Sequence, residues 1–253
     1  MKSIPQDIRN AYPISWITES TRFTNYLHKI LHASEDDLLV ADLASGEYDR
    51  VPSFFSKELP KLLNTSTTYE RRIVVYCTDV HELRLESLFG KLQEERSLNQ
   101  VRCVHAAFED MERNAKLIPE NIEFIEEHLE VVNWLDDFLI GEEHFPPECF
   151  DIGILNNDVI GYLHEYYTEY SDAEKSLESI WRLIRPNGML IVTMPCLQYQ
   201  IDNISILEKL GFSYIEGVDI SLSSGEKKLL EKNNQLNQLS KLNHYTFFVF
   251  SRG

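Results

Sequence analysis

The stretch Leu38-Leu39-Val40-Ala41-Asp42-Leu43-Ala44-Ser45-Gly46-Glu47-Tyr48 constrains this chain more than any other. An apolar run ends in an acid and then in a turn of small residues. A buried parallel strand delivers its C-terminal end to a ligand in this way. Small side chains in the turn let main chain approach that ligand closely. Periodicity elsewhere must therefore be read for further strands that could pair with this one.

Strand-like runs follow at Arg72 to Thr78, which ends at Asp79, at Val101 to Ala106 and at Phe150 to Leu155. Met189 to Met194, Phe212 to Ile220 and Tyr245 to Ser251 complete a set of seven. Helical spacing intervenes. After Ser20, the residues Phe23, Tyr26, Leu27, Ile30 and Leu31 share one face. Further helices are expected over 52–63, 82–95 and 203–210, the last stopping at Gly211. Another starts at Asp172, with Ala173, Leu177, Ile180, Trp181 and Ile184 on one face, and ends at the turn Arg185-Pro186-Asn187-Gly188. Such alternation predicts βαβ units and a mainly parallel sheet. The polar stretch Ser221 to Asn243 shows no amphipathic helix, so the last two strands are expected to pair like a hairpin at one edge. That stretch is read as a long loop, with a short exposed helix as the alternative.

Residues 111–149 exceed the minimal pattern. Ile122, Ile125, Leu129, Val132, Leu135 and Leu139 keep helical spacing, which predicts an extra helix over 122–139 between the third and fourth strands. It either packs on the sheet's flank or forms a lid. The organisation expected is a single domain over 1–253, with 1–34 as an N-terminal cap and helix and 111–149 as the insertion.

The 253 residues carry 24 basic and 41 acidic side chains, a net charge of −17, which argues against a nucleic-acid partner. No apolar run approaches the ~20 residues of a membrane span, and no signal peptide is evident, so a soluble cytoplasmic protein is expected. Cys77, Cys103, Cys149 and Cys196 lack C-x-x-C spacing and read as small buried thiols. His28 and His32 lie four apart on the first helix, but no third ligand follows at suitable spacing, so no metal is expected.

The order and spacing of these motifs resemble the class I S-adenosylmethionine-dependent methyltransferases, over roughly residues 20–253. The resemblance implies an α/β, Rossmann-like methyltransferase fold: a seven-stranded, mainly parallel sheet flanked by helices, with the last strand antiparallel. It implies S-adenosylmethionine as cofactor. Asp42, Ala44, Ser45 and Gly46 would cradle its methionine portion, although Ala44 and Tyr48 stand where the family usually has glycines. Asp79 would take the ribose hydroxyls, or else cap the following helix, and Val80 would pack on the adenine. Ala107 occupies the place of the family's adenine-side acid, leaving Glu109 or Asp110 to serve it. Asn156 and Asn157, at the end of the fourth strand, would lie beside the methyl group and count among the cofactor-binding candidates. Asp158 and His164 are the nearest titratable groups, with His164 either a general base or a helix-end residue. Leu183 to Ile191 resembles the family's turn into its fifth strand.

The function expected is methyl transfer to a small or medium-sized acceptor, with Asn156, Asp158 and His164 as candidate catalytic residues. Tyr12, Trp16, the helix at 122–139 and Tyr162, Tyr166, Tyr167 and Tyr170 are candidates for the acceptor pocket. The chief alternative is a catalytically inactive, methyltransferase-like binding or scaffold subunit with the extra helix as its interface. A nicotinamide-dependent oxidoreductase and a methyltransferase with a protein acceptor are weaker rivals. Neither the acceptor atom nor the oligomeric state is readable.

Overall fold

A computed structural model describes residues 14–33, 37–63, 73–128, 139, 143–157, 159–166, 173–195, 203–230 and 244–253. Their centre is one sheet of nine strands in the order β4-β3-β2-β1-β5-β6-β9-β7-β8. The strands are β1 (Leu38–Leu43), β2 (Ile73–Asp79), β3 (Val101–His105), β4 (Lys116–Leu117) and β5 (Phe150–Leu155). They continue with β6 (Ile184–Pro195), β7 (Phe212–Ser221), β8 (Lys227–Leu230) and β9 (His244–Arg252).

β1 pairs in parallel with β2 on one side and β5 on the other, and β2–β3 and β5–β6 are also parallel. β9 inserts antiparallel between β6 and β7, as the resemblance implies for the last strand. Seven strands are too few, however. β4 adds two residues antiparallel to β3, and β8 adds an edge strand antiparallel to β7 inside the stretch expected as loop or helix. β7 and β9 do pair, but β8 takes the edge from them, so they are not an edge hairpin.

The helices are α1 (Thr21–Ala33), α2 (Arg50–Ser53) leading through a π-helical turn (Phe54–Glu58) into α3 (Leu59–Leu63), α4 (Glu82–Glu94), α5 (Pro119–Glu127), α6 (Val159–Tyr166), α7 (Ala173–Leu183) and α8 (Asn203–Lys209). Strand alternation sends side chains to two cores. Val40, Val75, Cys77 and Ile191 pack with Phe23, Leu27, Phe54, Leu85 and Leu88, beneath α1 to α4. Ala41, Tyr76, Leu190 and Val192 pack with Ile160, Leu177, Ile180 and Leu207, beneath α6 to α8. α1 begins where expected: the Phe23 N–H donates to Ser20 Oγ at 3.0 Å, and Phe23 and Leu27 are fully buried. α5 starts earlier than expected, with Pro119 in its first turn. Of the helix expected over 122–139, residues 129–138 lie outside the described residues.

β6 also begins earlier than expected. It pairs with β5 from Ile184, across a register shift between Phe150 and Ile152, and Asn187 in the expected turn has φ +62°. Near the start of β5, Asp151 accepts the Leu39 N–H and Arg185 Nη1, each at 2.9 Å, which ties the start of β6 to the start of β1. Cys77, Cys103 and Cys149 are buried free thiols, and burial pushes Cys103 up to about 12; Cys196 lies outside the described residues. No described helix is long and apolar enough to cross a membrane.

Candidate functional site

From β1 the sheet builds outward through β2 and β3 in one direction and through β5 and β6 in the other. The order reverses between β1 and β5. A ligand crevice forms outside the carboxyl ends of strands at such a reversal. Residues 44–48 after β1, 79–81 at the end of β2 and 156–157 after β5 lie at that end of the sheet.

The turn after β1 is tightly made. Ala44 and Gly46 have left-handed backbone, φ +58° and +60°, which costs glycine nothing and alanine somewhat more. The Ser45 N–H donates to the Thr78 carbonyl at 2.9 Å, clamping the turn onto the end of β2. The Gly46 N–H donates to Asp79 Oδ2 at 3.0 Å, and the His81 N–H donates to Asp79 Oδ1 at 2.8 Å. Asp79 thus sits between the β1 turn and the start of α4; the N-cap of α4 is His81, with no side-chain cap bond, so Asp79 does not cap that helix.

Asp42 lies opposite Cys77, two residues before Asp79, so the two acids project from one face of adjacent strands. Asp42 is 1% exposed, and its Oδ1 has no hydrogen-bond partner among the described residues. Burial, together with the charge of Asp79, holds its carboxyl well above the usual carboxylate range. Val80 turns outward at 41% exposure beside Asp79, its carbonyl 3.1 Å from His105 Nε2, and Leu83 is also exposed. Val80, next in sequence to Asp79, is thus an exposed apolar side chain at the end of β2.

Across the reversal, Asn156 and Asn157 follow β5. Asn156 Oδ1 accepts from Thr193 Oγ1 at 2.5 Å and from Tyr245 OH at 3.3 Å. Asn157, left-handed at φ +65°, donates its N–H to Thr193 Oγ1 at 3.0 Å. The Asn156 NH₂ group has no hydrogen bond among the described residues. Nothing local in the sequence marks Thr193 or Tyr245 for this role: only the sheet pairing brings β6 and β9 to Asn156.

Other candidates are dispersed. Glu109 Oε2 accepts from Ser176 Oγ of α7 at 3.4 Å, and no described hydrogen bond joins it to the β1 or β2 ends. Asp110 accepts the Arg113 and Asn114 N–H groups at its carbonyl, in the turn after β3. His164 stands in the last turn of α6, its Nε2 buried without a partner among the described residues. Asp158, Tyr12, Tyr167 and Tyr170 lie outside the described residues, as do the side chains of Trp16 and Tyr166. Tyr162 is exposed on α6. Among the described residues, no group of three or more His, Cys, Asp or Glu side chains is placed to hold a metal.

No family model matches this chain, and no curated protein does. Among solved structures it is similar to a TehB-like SAM-dependent methyltransferase from Corynebacterium glutamicum, at 13% identity over 95% of this chain and 100% of that one, TM-score 0.48. A SAM-dependent methyltransferase from Aquifex aeolicus aligns at 13% identity over 90% of each chain, TM-score 0.45. Magnesium protoporphyrin IX methyltransferase from Synechocystis, solved with bound SAM, aligns at 15% identity over 91% of this chain and 77% of that one, TM-score 0.46.

Proposed function

We propose that this chain is an S-adenosylmethionine-dependent methyltransferase acting on a small or medium-sized acceptor. The observation that carries the reading is the joint at the sheet's reversal. There a left-handed glycine turn donates to a buried carboxylate at the end of the neighbouring strand, with an exposed apolar side chain next to it in sequence. Such a carboxylate can take paired hydroxyls of a ribose, with strong charge-assisted bonds. The exposed Val80 side chain suits the flat face of a base. The Ala44–Gly46 turn offers main chain to the remaining part of the cofactor. Glu109 or Asp110 remains the candidate for the adenine edge.

The bound cofactor would supply an electrophilic methyl group on a sulfonium, already a good leaving group. The protein's task is then alignment, which can lower the barrier by several kcal/mol. Asn156 is suited to it. Its carboxamide is uncharged, its oxygen is fixed by Thr193 and Tyr245, and its NH₂ can orient an acceptor. A base is needed only where the acceptor must lose a proton; His164 and Asp158 are the candidates. The insertion 111–149 would wall or cover the acceptor.

The test is thermal unfolding with and without S-adenosylmethionine and its demethylated product. At a hundredfold excess over Kd, binding adds about 2.7 kcal/mol, roughly 5–10 °C for this size. The shift should disappear in Asp79→Asn, measured against that variant's own ligand-free midpoint, because its NH₂ must face either the Gly46 or the His81 N–H and lowers the baseline stability. No shift with either ligand would overturn the reading and favour the inactive scaffold, with 111–149 as the surface to probe.

A further inference from the structure

The face of β7, β8 and β9 that turns toward the start of α1 carries a cavity of about 290 Å³. Small-molecule sites begin at about 300 Å³, so the space suits a small ligand. It is separate from the proposed cofactor site: β7 stands four strand spacings from β1, roughly 19 Å away.

Strand pairing builds its floor. Phe247 of β9 and Leu229 of β8 both lie opposite Val218 of β7, so the three apolar side chains form one row across the sheet. Ile220 follows two residues along the same face, opposite Lys227. Leu229 is 70% exposed, so the row is open to solvent at the β8 edge.

One end of this floor is acidic. Glu216, two residues before Val218, also lines the cavity. Its Oε1 accepts from Ser20 Oγ, which itself accepts the Phe23 N–H at 3.0 Å as α1 begins. Glu216 Oε2 has no hydrogen bond among the described residues. Burial raises the Glu216 carboxyl above its ordinary range, and the charge of Arg22 only partly offsets this. The carboxylate is thus short of compensating positive charge and has an acceptor oxygen to spare. Lys227 marks the other end, roughly 13 Å of strand from Glu216.

We infer that this cavity is a second ligand site and that it takes a linear primary amine, with the ammonium on Glu216 Oε2 and the alkyl chain over Val218 and Ile220, between Phe247 and Leu229. A charge-assisted bond is about twice as strong as a neutral one. Lys227 at the far end disfavours a second ammonium there. The inference goes beyond the cofactor reading and does not rest on it.

The experiment is NMR titration of the full chain, with isotope-labelled Ile, Leu and Val methyls, using hexylamine, hexanol and hexanoate. Hexylamine should shift the Val218, Ile220 and Leu229 methyls saturably, and hexanol should bind there about tenfold more weakly. Glu216→Gln, whose carboxamide oxygen can still accept from Ser20, should weaken hexylamine by a similar factor and leave hexanol within about twofold. Leu229→Gln, at an exposed edge position, should weaken the amine and the alcohol alike. No saturable shift at these methyls, or shifts spread over the whole surface, would overturn the inference. So would hexanol binding as tightly as hexylamine, or an unchanged affinity for hexylamine in Glu216→Gln, since either removes Glu216 from recognition. Tighter binding of hexanoate would overturn it too, by giving the charge preference to Lys227. Should Glu216→Gln fail to fold, Leu229→Gln and the comparison of amine with alcohol decide the matter.

Discussion

Asn156 is held by two hydroxyls from two other strands, and this shared acceptor makes a quantitative prediction. Thr193→Val is nearly isosteric at a buried position and removes one donor to Asn156 Oδ1, along with the acceptor of the Asn157 N–H. Leaving a buried polar group unpaired costs about 1–3 kcal/mol. Tyr245→Phe removes the 3.3 Å donor and leaves Thr193 in place, so about 0.5 kcal/mol is expected. In the double variant Asn156 Oδ1 loses both donors. Its loss should then exceed the sum of the single losses by about 1 kcal/mol, a coupling that the contribution of Asn157 cannot produce, since that term cancels in the cycle. Urea unfolding of the four proteins measures it. Calorimetry with S-adenosylhomocysteine should meanwhile show little change, because Asn156 is assigned to the acceptor. Additive losses, within ~0.5 kcal/mol, would refute the shared-acceptor geometry. Losses confined to cofactor binding would refute the role given to Asn156.

Asp42→Asn tests the buried acid. A carboxyl raised above its unfolded value, about 4, binds its proton more tightly in the native state, so that state carries more protons than the unfolded one. Stability contributed by Asp42 is present below pH ~4 and is lost as pH rises through the raised native value, at up to ~1.4 kcal/mol per pH unit. Asp42→Asn should remove that fall and be the more stable apoprotein at pH 8; unfolding curves at pH 5 and pH 8 decide it, and an unchanged pH slope would count against the reading. Arg185→Gln should cost about 1–3 kcal/mol in urea unfolding, because Asp151 beneath it is almost fully buried while solvent screens the partly exposed Arg185. Lys116→Gln, which breaks the exposed pair with Glu143, should cost less than ~0.5 kcal/mol in the same assay.

The parts of the fold that could be read from the chain are those that burial writes into it. β1, β2 and β5 are covered on both faces, so they appear as continuous apolar runs of the right length. β4 and β8 left no such trace. β4 is only two residues long, and β8 reads Lys-Lys-Leu-Leu with Leu229 largely exposed, as befits an edge strand whose lysines discourage further pairing. Its composition matches a solvated loop equally well, and only pairing with β7 distinguishes the two. The early start of β6 was hidden for another reason. Arg185-Pro186-Asn187-Gly188 is good turn chemistry, and the chain does adopt left-handed backbone at Asn187, yet Ile184 still pairs with Phe150 across a register shift.

The same distinction runs through the candidate site. Asp42, Gly46 and Asp79 could be picked out because each lies at or just past the end of an apolar run, where the chain reaches the carboxyl end of a parallel strand and the family resemblance has its motifs. Asn156 could be picked out for the same reason. What makes it a fixed group is not local: Thr193 lies 37 residues away and Tyr245 lies 89, on strands that meet only because β9 inserts beside β6. The antiparallel insertion therefore does more than complete the sheet. It reverses β9 so that its first residues, not its last, lie at the carboxyl ends of the parallel strands. Tyr245 reaches Asn156 from there, whereas a parallel β9 would bring its other end, Arg252, to that edge. A strand that runs antiparallel to the central ones thus also supplies a hydroxyl to Asn156, a link that the Thr193 and Tyr245 cycle tests directly.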